Sequence, residues 1–332
     1  MGKSFADIGK VQAIEELYRL SAYKRDDGFS FNPERGSTVS TVSRLYVEGV
    51  DFNLVYFPLK HLGYKCVVGA TGPLYAALAH PKLLSVTIGV SSKLDFEEIT
   101  QLWTGITVAA KEHGYKAVDL ELKPSPNGLY ISLAASGESL QITQKRLPAL
   151  KSKDLICVSG PLGAAYLGMQ VLEKGRRDFE KTSQQPDMKA YRMLVAAYLR
   201  PELDSGIVSR IEDAEIYPAY AAFVNEGLGD CLKRLQRDSG LGVKVYADKL
   251  PFEGNSFQAG KEMDIDPVSA AFGGGDDNVV LLVIPALSYE KFHREFPTFS
   301  VIGHMAKPEA GAVLVTPEGV EFPVKAQGWR EE

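Results

Sequence analysis

The densest group of chemistry-bearing residues is Gly273-Gly-Gly-Asp-Asp-Asn278, which runs directly into the apolar stretch Val279-Val-Leu-Leu-Val-Ile284. Gly274 and Gly275 would let a backbone approach phosphate closely, and the adjacent carboxylates Asp276 and Asp277 are donors that a hard cation such as Mg2+ takes. The same residues also suit a tight acidic turn ahead of a strand. A second acidic pair, Asp26 and Asp27, follows Lys24 and Arg25. It offers two carboxylates to a metal, or a solvated turn. A third group, Gly160-Pro-Leu-Gly163 with Ala164, Ala165 and Gly168, follows the short apolar run Leu155-Ile-Cys-Val158. This strand-turn-helix pattern could hold an anion on free N–H groups, or its small residues could permit close helix packing. It has neither the lysine of a P-loop nor the spacing of a dinucleotide fingerprint.

Other chemistries are not supported. His61, His80, His113, His293 and His304 show no i, i+4 pairing with a nearby acid, so no zinc-hydrolase pattern is present. No serine stands in a nucleophile elbow, and Cys157 has no base near it in sequence. Cys66, Cys157 and Cys231 are far apart in apolar surroundings and read as buried thiols in a reducing compartment.

The elements that must position these groups alternate between helix and strand. Val11, Ile14, Leu17 and Tyr18 mark a first amphipathic helix, and the β-branched run from Ser37 to Leu45 a strand. Residues 59–78 read as helical, interrupted by Gly69, Gly72 and Pro73. A strand over 84–90 leads to Asp95, an N-cap with Glu98 at the capping-box position. The helix it opens lines up Phe96, Ile99, Leu102, Trp103, Ile106 and Ala110, and Gly114 ends it. Strands over 116–122 and 129–135 follow. The second half repeats the alternation, with helices after Gly163 and over 188–199, and a strand-helix-strand region over 221–247. A strand from Val279, a helix over 288–296 and a closing strand pair around Val313 and Val320 complete it. Mixed α/β architecture is the expectation.

A chain of 332 residues exceeds one typical core, so two domains are expected, over 1–148 and 149–332. A hydrophobic content of 45% with 24% charged residues suits a soluble globular protein. The formal charge of −5 and the lack of a basic run argue against nucleic acid as partner. No apolar run approaches the roughly 20 residues of a membrane span, and the N-terminus has no signal core. A cytoplasmic location is the expectation.

Several stretches together resemble thiamine-monophosphate kinase, of the aminoimidazole-ribonucleotide synthetase-like superfamily. They are Tyr46-Val-Glu-Gly-Val-Asp-Phe52, Pro58-Leu-Lys-His-Leu-Gly-Tyr-Lys65, Asp154-Leu-Ile-Cys-Val-Ser-Gly160 with Gly163-Ala-Ala-Tyr166, Ile302-Gly-His304 and Lys325-Ala-Gln-Gly-Trp329. Their order and spacing match over nearly the full chain. The resemblance implies an N-terminal α/β domain whose sheet pairs with its twin in a homodimer, and a C-terminal α+β domain. It also implies ATP as phosphoryl donor, thiamine monophosphate as acceptor, and aspartates that hold Mg2+ on the phosphates, since two clustered polyanions repel without cations.

The segments that would carry this chemistry depart from the family's pattern. Asp26 and Asp27 keep both acids of a Gly-Asp-Asp loop, but Arg25 replaces its glycine. Arg44, Pro73 and Phe223 stand where the resemblance expects aspartates, and none of these can bind Mg2+. Glu121 and Glu226 keep a carboxylate on a longer side chain, which shifts its oxygens and disturbs octahedral geometry. Gly274, Gly275, Asp276 and Asp277 match the acidic loop. Implied nucleotide contacts are thus Asp26, Asp27, Arg44, Glu121, Gly274 and Gly275, and implied metal ligands Asp27, Glu121, Glu226, Asp276 and Asp277. Arg44 either neutralises phosphate in a cation's place or pairs with Asp26 or Asp27. The resulting expectation is a kinase-like protein that has lost most or all transfer but keeps a nucleotide or another phosphorylated small molecule as ligand. The alternative is an active ATP- and Mg2+-dependent kinase with a rearranged metal site. Selenophosphate synthesis and hydrogenase maturation are disfavoured, because no cysteine stands near either end.

Overall fold

The computed structural model describes residues 5–25 and 30–330. The chain divides into two compact units, Met1–Gln141 and Ile142–Glu332. The first runs α1 (Phe5–Ile8), α2 (Lys10–Arg19), β1 (Thr38–Val47), α3 (Leu59–Ala76), β2 (His80–Ser91), α4 (Phe96–Glu112), β3 (Ala117–Ser125) and β4 (Tyr130–Ser139). Helix α5 (Gln141–Arg146) starts on its last residue.

The four strands lie in the order β1-β4-β2-β3. Only β2 and β3 are parallel, joined through α4, while β4 runs antiparallel to β1 and β2. Asp95 caps α4 through the expected box, accepting from the Glu98 N–H at 3.0 Å while the Glu98 carboxylate accepts the Asp95 N–H at 2.9 Å. Ile99, Leu102, Trp103, Ile106 and Ala110 are buried along that helix as their spacing predicts. Helix α3 corrects one expectation, for it passes through Gly69, Gly72 and Pro73 without a break. Proline costs a helix one N–H bond and crowds the preceding residue, but that residue is Gly72, which has no Cβ to clash. Burial of most of α3 supplies the rest.

The second unit continues with β5 (Leu155–Val158), α6 (Ala164–Thr182), α7 (Arg192–Leu199), α8 (Ile207–Asp213), β6 (Tyr220–Val224), α9 (Leu228–Ser239) and β7 (Gly242–Tyr246). Next come α10 (Ser256–Met263), α11 (Pro267–Gly273), β8 (Val279–Ile284), α12 (Tyr289–Glu295), β9 (Ser300–Ala306), β10 (Ala312–Val315) and β11 (Glu321–Pro323). They form a seven-stranded mixed sheet, β11-β10-β7-β9-β5-β8-β6. Every residue of β8 is buried, as a continuous apolar run in an interior strand, between β5 and β6, of a covered sheet requires. The core gathers Ile156 and Val158 of β5, Leu281 and Val283 of β8, and Leu228, Leu232 and Leu235 of α9. All three cysteines are free and buried. Burial pushes the Cys157 and Cys231 thiols up to about 12, so neither is a nucleophile at neutral pH. Among the described residues no helix is long and apolar enough to cross a membrane.

Candidate functional site

Three loops of the second unit close on one another, and two of them are the glycine-rich stretches singled out from sequence. Helix α6 begins with N–H groups that have no partner within the helix. Gly163, its N-cap at φ 72°, donates its N–H to one Asp277 carboxylate oxygen at 2.8 Å, and Ala165 donates to the other at 3.4 Å. The carboxylate therefore meets both the unsatisfied donors and the positive end of the helix dipole. Asp277 is only 9% exposed. Burial pushes its carboxyl up to about 7 against the pull of the two N–H donors, and neighbouring Asp276 raises it further.

The turn that aims Asp277 is left-handed at Gly275, Asp276 and Asn278. Asp and Asn tolerate that conformation better than most residues. The Asp276 N–H donates to the Asn225 carbonyl at 2.6 Å, and the Asn278 amide to the Asp276 carbonyl at 2.5 Å. Gly274 is a packing residue: a methyl group there would lie 2.5 Å from Cβ of Tyr166. Gly163 similarly abuts the backbone of Ala270 and Ala271, and Gly168 the Leu194 carbonyl of α7. Of the two readings left open for the Gly160–Gly168 stretch, close packing is the one seen. Its helix N-terminus receives an anion, but that anion is Asp277. Glu226, in the third loop, is exposed and accepts from the Asn225 amide at 3.2 Å.

In the first unit Glu121 projects from β3 between two lysines. Lys10, at the start of α2, lies 2.5 Å from its carboxylate, and Lys123 lies 3.1 Å away. The Lys10 hydrogen bond chiefly holds the Glu121 carboxyl below its usual range. Arg44 sits half-buried on β1, donating to the Ser43 carbonyl at 3.1 Å, and its Nε is buried without a hydrogen-bond partner among the described residues. Pro73 lies inside α3, and Phe223 is buried in β6. Asp26 and Asp27 lie outside the described residues.

These surroundings decide how well the chain suits Mg2+, which demands several oxygen ligands in near-octahedral array. Among the described residues no three His, Cys, Asp or Glu side chains gather around a common point. The Glu121 carboxylate is engaged by ammonium groups and that of Asp277 by backbone amides. The described residues do not fit the ligand set that the resemblance implies. Lys10 was not visible as a participant from sequence, because 111 residues separate it from Glu121 and nothing local marks the pair.

No family model matches the chain. Its sequence is similar to a thiamine-monophosphate kinase of Methanopyrus kandleri, 22% identical over 268 residues, which are 78% of this chain and 76% of that one. It is also similar to a putative hydrogenase expression/formation protein of Methanocaldococcus jannaschii, 22% identical over 289 residues, 84% and 81% of the two chains. The fold matches AaThiL complexed with AMPPCP and TMP at a TM-score of 0.72 and 19% identity, covering 95% of this chain and 97% of that one. It matches hydrogenase maturation protein HypE in complex with ATP at 0.65 and 16% identity, covering 93% and 89%. The fold is thus the two-domain aminoimidazole-ribonucleotide synthetase-like one, α/β followed by α+β. Within that fold class its sequence is similar to thiamine-monophosphate kinases and, at the same identity, to a hydrogenase expression/formation protein.

Proposed function

We propose that this thiamine-monophosphate kinase-like chain is impaired in phosphoryl transfer and retains binding of a nucleotide or another phosphorylated small molecule. The observation that carries the impairment is the clasp of Glu121 by Lys10 and Lys123. Two ammonium groups stand where the resemblance calls for a carboxylate open to a cation, and transfer between clustered phosphates depends on bound cations. The buried engagement of Asp277 supports the same reading. Retained binding rests on the fold, whose solved relatives include one with AMPPCP and TMP and one with ATP. A cytoplasmic homodimer joined through the first unit's sheet completes the proposal.

Calorimetric titration of the purified protein with Mg-ATP, with and without thiamine monophosphate, tests it when thiamine diphosphate is assayed in the same samples. Binding heat without product is expected. Product at enzymatic rates would overturn the impairment, and absence of heat at millimolar ligand would overturn retained binding.

A further inference from the structure

A cavity of about 290 Å3 lies between the later turns of α6, the segment that follows that helix, and α10. Its α6 residues run from Val171 to Thr182, roughly 12 to 28 Å along the helix from Gly163, so it stands apart from the three-loop site. The floor is apolar. Val171 and Ala259 are buried there, and Pro186, Met188 and Met263 add half-buried surface. Gly175 shapes this floor, since a methyl group on it would lie 2.1 Å from Cε of Met188. The Met188 side chain therefore fills a notch in α6.

Part of the polar rim has a structural account. The segment after α6 is tied down at both ends: the Ser183 N–H donates to the Phe179 carbonyl at 2.7 Å, and the Asn255 amide donates to the Ala190 carbonyl. The Tyr191 hydroxyl donates to the Glu262 carboxylate of α10. Glu262 also accepts from the Gln258 amide at 3.3 Å and has the Lys174 ammonium 3.8 Å away. The rest of the rim has no such account. Asp187 accepts the Lys189 N–H at 3.0 Å through one oxygen, which leaves the other unused. Among the described residues Asp178 pairs with no cation, and neither Gln184 nor Gln185 makes a hydrogen bond through its side-chain amide. The rim thus sets three carboxylates against one ammonium, and Glu262 already engages that ammonium.

We propose that this cavity binds a small organic cation, a primary amine carried on an apolar chain or ring. The ammonium meets the rim at Asp178 and Asp187, and the apolar body rests on the Met188 and Met263 thioethers. An apolar floor with a few polar groups at its rim is the usual anatomy of a small-molecule site, and flexible methionines adapt to varied apolar shapes. An acidic rim repels phosphorylated compounds, so this ligand class differs from the nucleotide proposed above and the two readings fail separately.

Methionine-methyl NMR of the full chain reads the cavity directly. Two of the six methionines, Met188 and Met263, line it, while Met305 is 0% exposed in the core of the same unit. Phenethylamine, titrated at neutral pH and physiological salt, should shift the Met188 and Met263 signals saturably and leave Met305 in place. Phenethyl alcohol, of nearly the same shape without the charge, should bind at least about tenfold more weakly. Asp178→Asn with Asp187→Asn should weaken the amine by about the same factor. Both side chains are exposed, and asparagine can still accept the Lys189 N–H, so this variant keeps the fold. No saturable shift at millimolar amine, equal affinity for the alcohol, or unchanged affinity in the paired variant would overturn the proposal.

Discussion

The N–H of Gly163 donates to the Asp277 carboxylate at 2.8 Å across 114 residues of sequence. An acid that pattern alone offers as a metal ligand is thereby the cap of a 19-residue helix. The helix N-terminus could have held a phosphate, and the carboxylate could have held a cation. Each satisfies the other instead. Asp277 therefore matters to folding before it matters to any ligand, and its substitution must be read on stability first.

That arrangement sets a pH dependence. Burial raises the folded carboxyl to about 7, above the value near 4 of an unfolded aspartate. Its contribution is fully present below the unfolded value and is lost as pH rises through the folded one. Urea unfolding of wild type and Asp277→Asn should show the wild-type advantage shrinking from about pH 4 to 7, by at most about 1.4 kcal/mol per pH unit, and levelling off above that. An advantage that stays flat or grows would show that the carboxylate is ionised throughout.

Helices α3 and α4 touch through reciprocal glycines. A methyl group on Gly63 would lie 2.2 Å from the Leu102 carbonyl oxygen, and one on Gly105 would lie 1.9 Å from that of Lys60. Neither backbone can yield without separating the helices. Gly63→Ala and Gly105→Ala should each destabilise the protein by about 1–3 kcal/mol, measured by denaturant unfolding. Because both relieve the same contact, the double variant should cost less than the sum.

What the sequence reveals divides by range. The Asp95 and Glu98 box is local, three residues apart, and the structure holds both of its bonds. The apolar runs that became β5 and β8 are equally plain, because a strand buried on both faces must be apolar throughout. Strand β9 is harder to read, since Gly303 resembles a breaker. Its role is close approach: a methyl group there would lie 2.0 Å from the Lys244 carbonyl of β7. The N–H donors to Asp277 and the Lys10 partner of Glu121 lie more than 100 residues away, and no period or spacing encodes them. Candidate residues could be named from sequence, but what they touch could not.

The Lys10–Glu121 pair gives a test that does not rely on turnover. Both side chains are over a third exposed, at 40% and 38%, so the pair contributes little to stability. Lys10→Ala should cost no more than about 1 kcal/mol. The depressed Glu121 carboxyl places that small contribution above the ordinary glutamate range and removes it as pH falls through the folded value. Replacing Lys10 and Lys123 together by serine should expose the carboxylate and strengthen Mn2+ binding, followed by water-proton relaxation. Unchanged Mn2+ affinity would mean that the lysines do not block a cation there.

Strand β1 supplies the last prediction. Within its unit it pairs with β4 along one edge, and among the described residues no strand pairs with the other edge of this ten-residue strand. Val39 and Leu45, two apolar residues on the same face, are 45% and 58% exposed. An open edge carrying exposed apolar residues is a template for another strand, and soluble proteins usually blunt or cover such edges. A second copy of β1 would cover it and complete the proposed homodimer. Light scattering should give twice the 36.3 kDa of one chain. Val39→Lys with Leu45→Lys should halve that mass without lowering helix content by circular dichroism, because neither side chain is buried within the unit. A wild-type mass of one chain would remove the homodimer from the proposal, while leaving the Asp277 cap and the Glu121 clasp unchanged, since each lies within a single unit.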